Sequence, residues 1–310
     1  MREHPSDHSN DSYCSNMALF PEDGQPKMDP ITAILFRKYN RDLRYHEKRP
    51  SHTDDTVTPC KTDKLATMAD GRNSDADLSP YLFSLATDYV FLEFTSRCNL
   101  SCVYCRSNQP DFERHDLDLT HFDDLVSALR SRKVRALSVN GAGETTILKG
   151  WHHYCGKLIK AGFQLSIISN FARELSWEEA ETFADFNEIT ISCDTVDLQL
   201  FRKLRRGGDL RMILLNMNKI RAAALQSKKP GPLFLWNSIL SDKSIKGLYD
   251  WVAMGIGTGV KKFHVTNLVV YPDVSKEITV RHFSDMAVED KREGIEVFIK
   301  ARELAEANGA

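Results

Sequence analysis

From Tyr81 onward, short apolar runs suited to buried strands alternate with stretches whose apolar residues recur every three or four positions, the period of an amphipathic helix. Strands are predicted at approximately 89–94, 134–140, 163–169, 188–193, 232–239 and 261–269. Between them, Thr120 and Asp123 suggest a capping box ahead of Phe122, Leu125, Val126 and Leu129, and Ser176 and Glu179 repeat the device ahead of Ala180 and Phe183. Asp209 stands before a continuous stripe of Leu210, Ile213, Leu214, Met217, Ile220 and Ala224. A helix from near Ser244 brings in Ile245, Leu248 and Val252, and a last one, from about Ser284 to Ala307, offers Met286, Ile295, Phe298, Ile299 and Leu304 as its apolar face. Consecutive strand–helix units imply an α/β protein with a parallel sheet. Six units fall short of the eight that close a full barrel, so an open partial (β/α)6 TIM-like barrel is expected, with one side free to admit a large substrate. Reactive groups in such sheets gather at the C-terminal strand ends.

Residues 1–80 are rich in Asp, Ser, Thr, Asn and Lys and poor in patterned apolar positions, which predicts a polar, largely disordered extension. Its exception is a helix expected over 29–46, opened by Asp29-Pro30 and carrying Ile31, Leu35, Tyr39 and Leu43; residues 49–77 read as a linker. The barrel is expected over 81–275 and a helical C-terminal segment over 276–310.

Composition narrows the class. The 310 residues are 42% hydrophobic and carry a formal charge of -2 with the basic residues dispersed, which gives no reason to invoke nucleic acid or an anionic membrane surface. The N-terminal residues lack the apolar core of a signal peptide, and no run approaches the ~20 apolar residues needed to cross a bilayer. A cytoplasmic location is the expectation. The odd count of seven cysteines argues against a disulfide framework and suits a reducing compartment.

Candidate chemistry concentrates in SRCNLSCVYC, which follows the strand-like YVFLEF and places Cys98, Cys102 and Cys105 on one short loop. Three thiolates can hold three irons of a cubane cluster and leave the fourth open to a substrate or cofactor, whereas an electron-transfer cluster usually takes four cysteines. A structural zinc site is the alternative, with His115 or His121 as a fourth ligand, but such sites normally use two separated pairs and no second pair exists. Cys14, Cys60, Cys155 and Cys193 are isolated and are expected to be free thiols.

The cysteine motif resembles the signature of the radical S-adenosylmethionine superfamily, and the resemblance runs from residue 89 to about 272. SVNGAGETTI is similar to the second-strand motif through which family members hold the amino group of S-adenosylmethionine; Gly141, Gly143 and Glu144 match, while Thr145 stands where Pro is common. Asn170 in IISNF, and Ser192 and Asp194 in ISCDT, match polar positions that contact the ribose and carboxylate of the cofactor. FRKLRRGGD resembles a segment whose arginine meets the methionyl carboxylate, with Arg206 the first choice and Arg205 the reserve. Tyr104 matches an aromatic position near the adenine.

The resemblance implies a [4Fe-4S] cluster and S-adenosylmethionine as cofactors, and reductive cleavage to a 5′-deoxyadenosyl radical that abstracts hydrogen from a C–H bond of a peptide or small molecule. It also implies a reductant such as flavodoxin or ferredoxin. TSRCNLSCVYC, ISCDT and LRRGGDLRMILLNMNKI further resemble the branch that often carries a SPASM or twitch extension with auxiliary clusters. No cysteine follows Cys193, so such clusters are expected only if another polypeptide supplies them, and the end at AEANGA suggests a shortened relative or a truncated chain. Two readings stand: a radical enzyme of oxidoreductase or modifying type, or a noncatalytic cluster-bearing or peptide-binding subunit. An accessory subunit fits either, and the mouth of an open barrel needs closing, with helix 29–46 and the last helix as candidates.

Overall fold

The computed structural model describes residues 88–269 and 280–310. The expected N-terminal helix, the linker, Cys14 and Cys60 lie outside the described residues. Residues Ala86–Ala310 form one compact unit.

Six parallel strands make the main sheet: β1 (Tyr89–Phe91), β3 (Ala136–Ser138), β4 (Gln164–Ser169), β5 (Glu188–Ser192), β7 (Leu233–Leu240) and β8 (Lys262–Asn267), hydrogen-bonded in that order. All six expected strands are present. They are linked through α1 (Phe122–Ser131), α2 (Trp151–Lys160), α3 (Trp177–Phe183), α4 (Leu198–Leu204), α5 (Leu210–Gln226) and α6 (Leu248–Gly257), and α7 (Val288–Ala307) follows. A separate antiparallel ribbon pairs β2 (Ser101–Cys102) with β6 (Arg205–Arg206).

The alternation of side chains across the strands explains why the barrel is open. Val90, Leu92, Phe94, Leu137, Val139, Leu165, Ile167, Ile189, Ile191, Phe234 and Trp236 are buried. Phe94 meets Phe122 of α1 and Tyr154 of α2, and Trp236 meets Trp251 of α6, so this parity faces the helices. The other parity lines the concave face. There Ser138, Thr190 and Leu235 are covered, but Tyr89, Phe91 and Ile168 are 44%, 46% and 43% exposed, and Lys262, His264 and Thr266 are exposed too. A closed barrel would fill that space with packed layers of side chains. Here β1 and β8 remain as two edges.

Two capping expectations end differently. Ser176 accepts from the Glu179 N–H while the Glu179 carboxylate accepts from the Ser176 N–H, closing the capping box of α3. The box expected at Thr120 does not form. Asp118 takes both the N–H and hydroxyl of Thr120, and α1 begins after His121 without a side-chain cap. Asp209 does cap α5, accepting from the Arg211 N–H.

The last helix packs by its small residues. Gly294, Ala301 and Ala305 are buried, whereas Ile295, Phe298 and Ile299, expected to form its inward face, are exposed. Contact is close: a Cβ at Gly294 would lie 2.6 Å from Ile245 Cδ1. α7 rests on α6 and the turn at Ile245–Gly247, outside the sheet. Cover for the cysteine loop comes instead from Leu268 and Val280, which pack with Tyr104 and Leu204.

Candidate active site at the cysteine loop

The cysteine loop leaves β1 at its C-terminal end and is fixed at several points. Glu144 N–H donates to the Arg97 carbonyl at 2.8 Å, and Ser107 Oγ donates to the Ala142 carbonyl at 2.8 Å, joining the loop to residues 141–144 after β3. Ser96 Oγ accepts from the His115 N–H at 2.7 Å, and Arg97 clamps Asp116 through two hydrogen bonds. Gly143 is required by space, because a Cβ there would run into the backbone of residues 95–97, whereas one on Gly141 would meet only the Glu93 side chain, which can turn aside. Glycine admits that backbone approach because it has no Cβ.

Cys98, Cys102 and Cys105 are half-buried free thiols. Burial raises the Cys98 pKa, opposed by donors at its sulfur: the Leu100 N–H at 3.5 Å and Asn170 Nδ2 at 3.6 Å. Burial pushes Cys102 up to about 12, with Arg205 lowering and Asp194 raising it. Among the described residues no three His, Cys, Asp or Glu side chains are placed to hold a single metal ion. The histidines weighed as zinc ligands are engaged elsewhere, His115 beside Ser96 and His121 beside Asp124. Three thiols on one loop suit three corners of a cubane, and N–H donors already stand at one sulfur. Cys155 and Cys193 are buried in the core, as expected of free thiols.

The other expected site residues divide into three groups. Asn170 sits beside the cluster loop, donating to Asn99 Oδ1 at 2.9 Å as well as to Cys98. Ser192 ends β5 in register with Asn237 of β7, both half-buried on the concave face. Glu144, in contrast, turns its carboxylate inward. It accepts from Thr146 N–H and Oγ1, Ser169 Oγ and the Asn170 N–H at 2.7–3.2 Å, bracing the turn against the end of β4.

Asp194, Tyr104 and Arg205 bond to one another within the protein. Asp194 is fully buried; its carboxylate takes a bidentate pair from Arg205 at 2.9 Å, the Ile239 N–H at 3.0 Å and the Tyr104 hydroxyl. Tyr104 is a buried strut, with Arg205 Cζ 5.8 Å from its ring centre, and does not open onto the mouth. Across the ribbon Cys102 pairs with Arg205, and Ser101 with Arg206. Opposed residues of an antiparallel pair share a face and neighbours alternate, so exposed Arg206 lies on the side away from Cys102. The arginine on the cysteine side is Arg205, the reserve choice, and it is engaged by Asp194. Ser107, Asn99 and Glu93 were not singled out from sequence; their roles are hydrogen bonds between loops, which carry no local pattern.

Comparison with known proteins gives the likeness of sequence and fold. Residues 92–230 match the Radical SAM superfamily profile. GTP 3′,8-cyclase of Rhodopseudomonas palustris strain TIE-1 is 30% identical over 193 residues, covering 60% of this chain and 55% of that protein; the Rhizobium etli GTP 3′,8-cyclase is 27% identical over 173 residues, covering 53% and 49%. The chain thus spans about half the length of the curated relatives it matches. Among solved structures, Streptococcus suis SuiB bound to S-adenosylmethionine has a TM-score of 0.54 at 18% identity, covering 88% of this chain and 60% of that one. The anSMEcpe structure with bound AdoMet has a TM-score of 0.53 at 13% identity, covering 71% and 63%. These last two establish likeness of fold. Residues 92–230 are thus similar to the radical SAM superfamily, whose members use a [4Fe-4S] cluster and S-adenosylmethionine.

Proposed function

We propose that the chain is a radical enzyme in which Cys98, Cys102 and Cys105 hold the cluster, and in which the exposed concave face receives a polar small molecule or peptide. The observation that carries this reading is the joining of the cysteine loop to the 141–144 loop and to Asn170 at the C-terminal ends of the strands. When bound, the cluster and S-adenosylmethionine supply one-electron reductive cleavage and hydrogen-atom abstraction from a C–H bond. The backbone of Gly141–Gly143 comes close enough to the loop to meet the amino group, while Asn170, Ser192 and Asn237 offer polar contacts to the rest of the cofactor. Glu144 then acts by holding the turn's shape. The substrate lies against the exposed Phe91 and Ile168, near the C-terminal ends of β1 and β4, and a flavodoxin- or ferredoxin-type protein delivers the electron.

The test is anaerobic reconstitution of the full chain, followed by measurement of 5′-deoxyadenosine under strong reductant. Release of 5′-deoxyadenosine is expected, and it should increase with the true substrate; GTP and peptides belong in the panel. No release from protein with cluster and S-adenosylmethionine demonstrably bound would leave the noncatalytic subunit as the better reading.

A further inference from the structure

Beneath the cysteine loop lies a buried charged unit that the cofactor contacts above do not use. Arg205 and Asp194 have side chains only 7% and 0% exposed. Arg205 stands opposite Cys102 on the ribbon, and the Val103 N–H donates to the Leu204 carbonyl at 2.9 Å, continuing the pairing. Tyr104, between Cys102 and Cys105, reaches the same Asp194 carboxylate with its hydroxyl. Asp194 is held in turn by the Ile239 N–H, and its carbonyl accepts from Ser238 Oγ at 3.1 Å. The loop is therefore bolted from both strands of the ribbon to the ends of β5 and β7. After Arg205 the chain turns through Gly207, whose φ of +93° favours glycine.

We propose that Tyr104, Asp194 and Arg205 form a positioning unit for the cluster corner at Cys102, in which two opposite buried charges cancel and so set the electrostatic environment of the cluster. This rests on the reading that the cysteine triplet binds the cluster. A purely mechanical brace would need only shape and hydrogen bonds. The ion pair lies on the thiol side of the ribbon, where burial weakens screening, so deletion of either partner leaves one uncompensated charge beside Cys102. The signs are opposite. Losing Arg205 leaves a negative charge that disfavours adding an electron to the cluster; losing Asp194 leaves a positive charge that favours it.

The test uses the full chain reconstituted with cluster, comparing Arg205→Met, Asp194→Asn and Arg205→Lys with the parent. Redox titration followed by electron paramagnetic resonance should show the midpoint potential falling in Arg205→Met and rising in Asp194→Asn. Iron loss to a chelator should be about tenfold faster in each, as expected for a lost charge-assisted hydrogen bond. Arg205→Lys keeps the charge but not the paired geometry, so its potential should stay near that of the parent while its iron is lost faster. Should Arg205→Met fail to fold, Asp194→Asn and Arg205→Lys carry the comparison, and equal potentials in those two would overturn the proposal. Potentials that move together, or not at all, in folded cluster-loaded variants overturn it likewise. A parent chain that takes up no iron would instead overturn the functional reading, and this one with it.

Discussion

Two arginine–carboxylate pairs in this molecule use the same chemistry and teach different things. Arg173 and Glu179 are six residues apart, and Glu179 also closes the capping box of α3 and accepts from Trp151 Nε1 at 2.7 Å. The Arg173 side chain keeps partial contact with solvent. Asp194 and Arg205 are eleven residues apart, more deeply buried, and joined by a tyrosine from the cysteine loop. The first pair fastens a helix to its neighbours. The second fastens the loop bearing the candidate cluster ligands. Burial makes the second less forgiving, because a lone charge there has neither water nor a partner.

The largest effect is expected at the thiols. Replacing Cys98, Cys102 and Cys105 together by Ala should abolish iron and sulfide incorporation while circular dichroism keeps the parent's signature, since none of the three belongs to the helix-facing core. Undiminished iron in that variant would remove the cysteine loop from the cofactor site.

A smaller effect is expected at Gly143, where an added Cβ must displace the backbone of residues 95–97. Overpacking against backbone costs about 1–3 kcal/mol. Gly143→Ala should lower the denaturation midpoint accordingly and weaken S-adenosylmethionine binding in calorimetry. An unchanged midpoint with unchanged binding would show that the two loops have room to separate.

The least disturbing change tests the other pair. Burial alone raises the Glu179 pKa, but Arg173, the Ser176 N–H and the Trp151 indole outweigh it and hold the carboxyl below its ordinary value. A carboxyl depressed in the folded state contributes stability above its unfolded value, near 4.5, and that contribution is lost as pH falls through the lower folded value. Glu179→Gln should therefore cost about 1–2 kcal/mol at neutral pH after allowance for partial exposure, and less in acid. Urea titrations at pH 7 and pH 3 check this. An equal loss at both would mean that the charge of Glu179 is immaterial. Iron content should match the parent, in contrast to changes around Asp194.

The two pairs also divide what sequence reveals from what it conceals. The capping box at Ser176 and Glu179 is legible because its partners are three residues apart and their bonds follow from helix geometry. The similar signal at Thr120 fails because Asp118, two residues earlier, offers a stronger acceptor to the same groups. Gly141 and Gly143 stand out as a motif in the sequence, but what Gly143 makes room for, the backbone of residues 95–97, comes from the loop after β1. The choice between Arg205 and Arg206 turns on which face of a two-residue ribbon each occupies, and that depends on pairing with Ser101 and Cys102 about a hundred residues earlier. In α7 the large apolar residues suggested the buried face, yet close approach to Ile245 selects the small ones.

By itself, then, the sequence determined the strand–helix order, the parallel open sheet and the cysteine triplet, because each is written in short-range periodicity or spacing. Which polar residues bond to one another followed only from the tertiary structure. The partners of Asp194, Tyr104 and Glu144 are an example: a buried carboxylate or hydroxyl must satisfy its hydrogen bonds with whatever folding brings near, and these bonds join residues far apart in the chain.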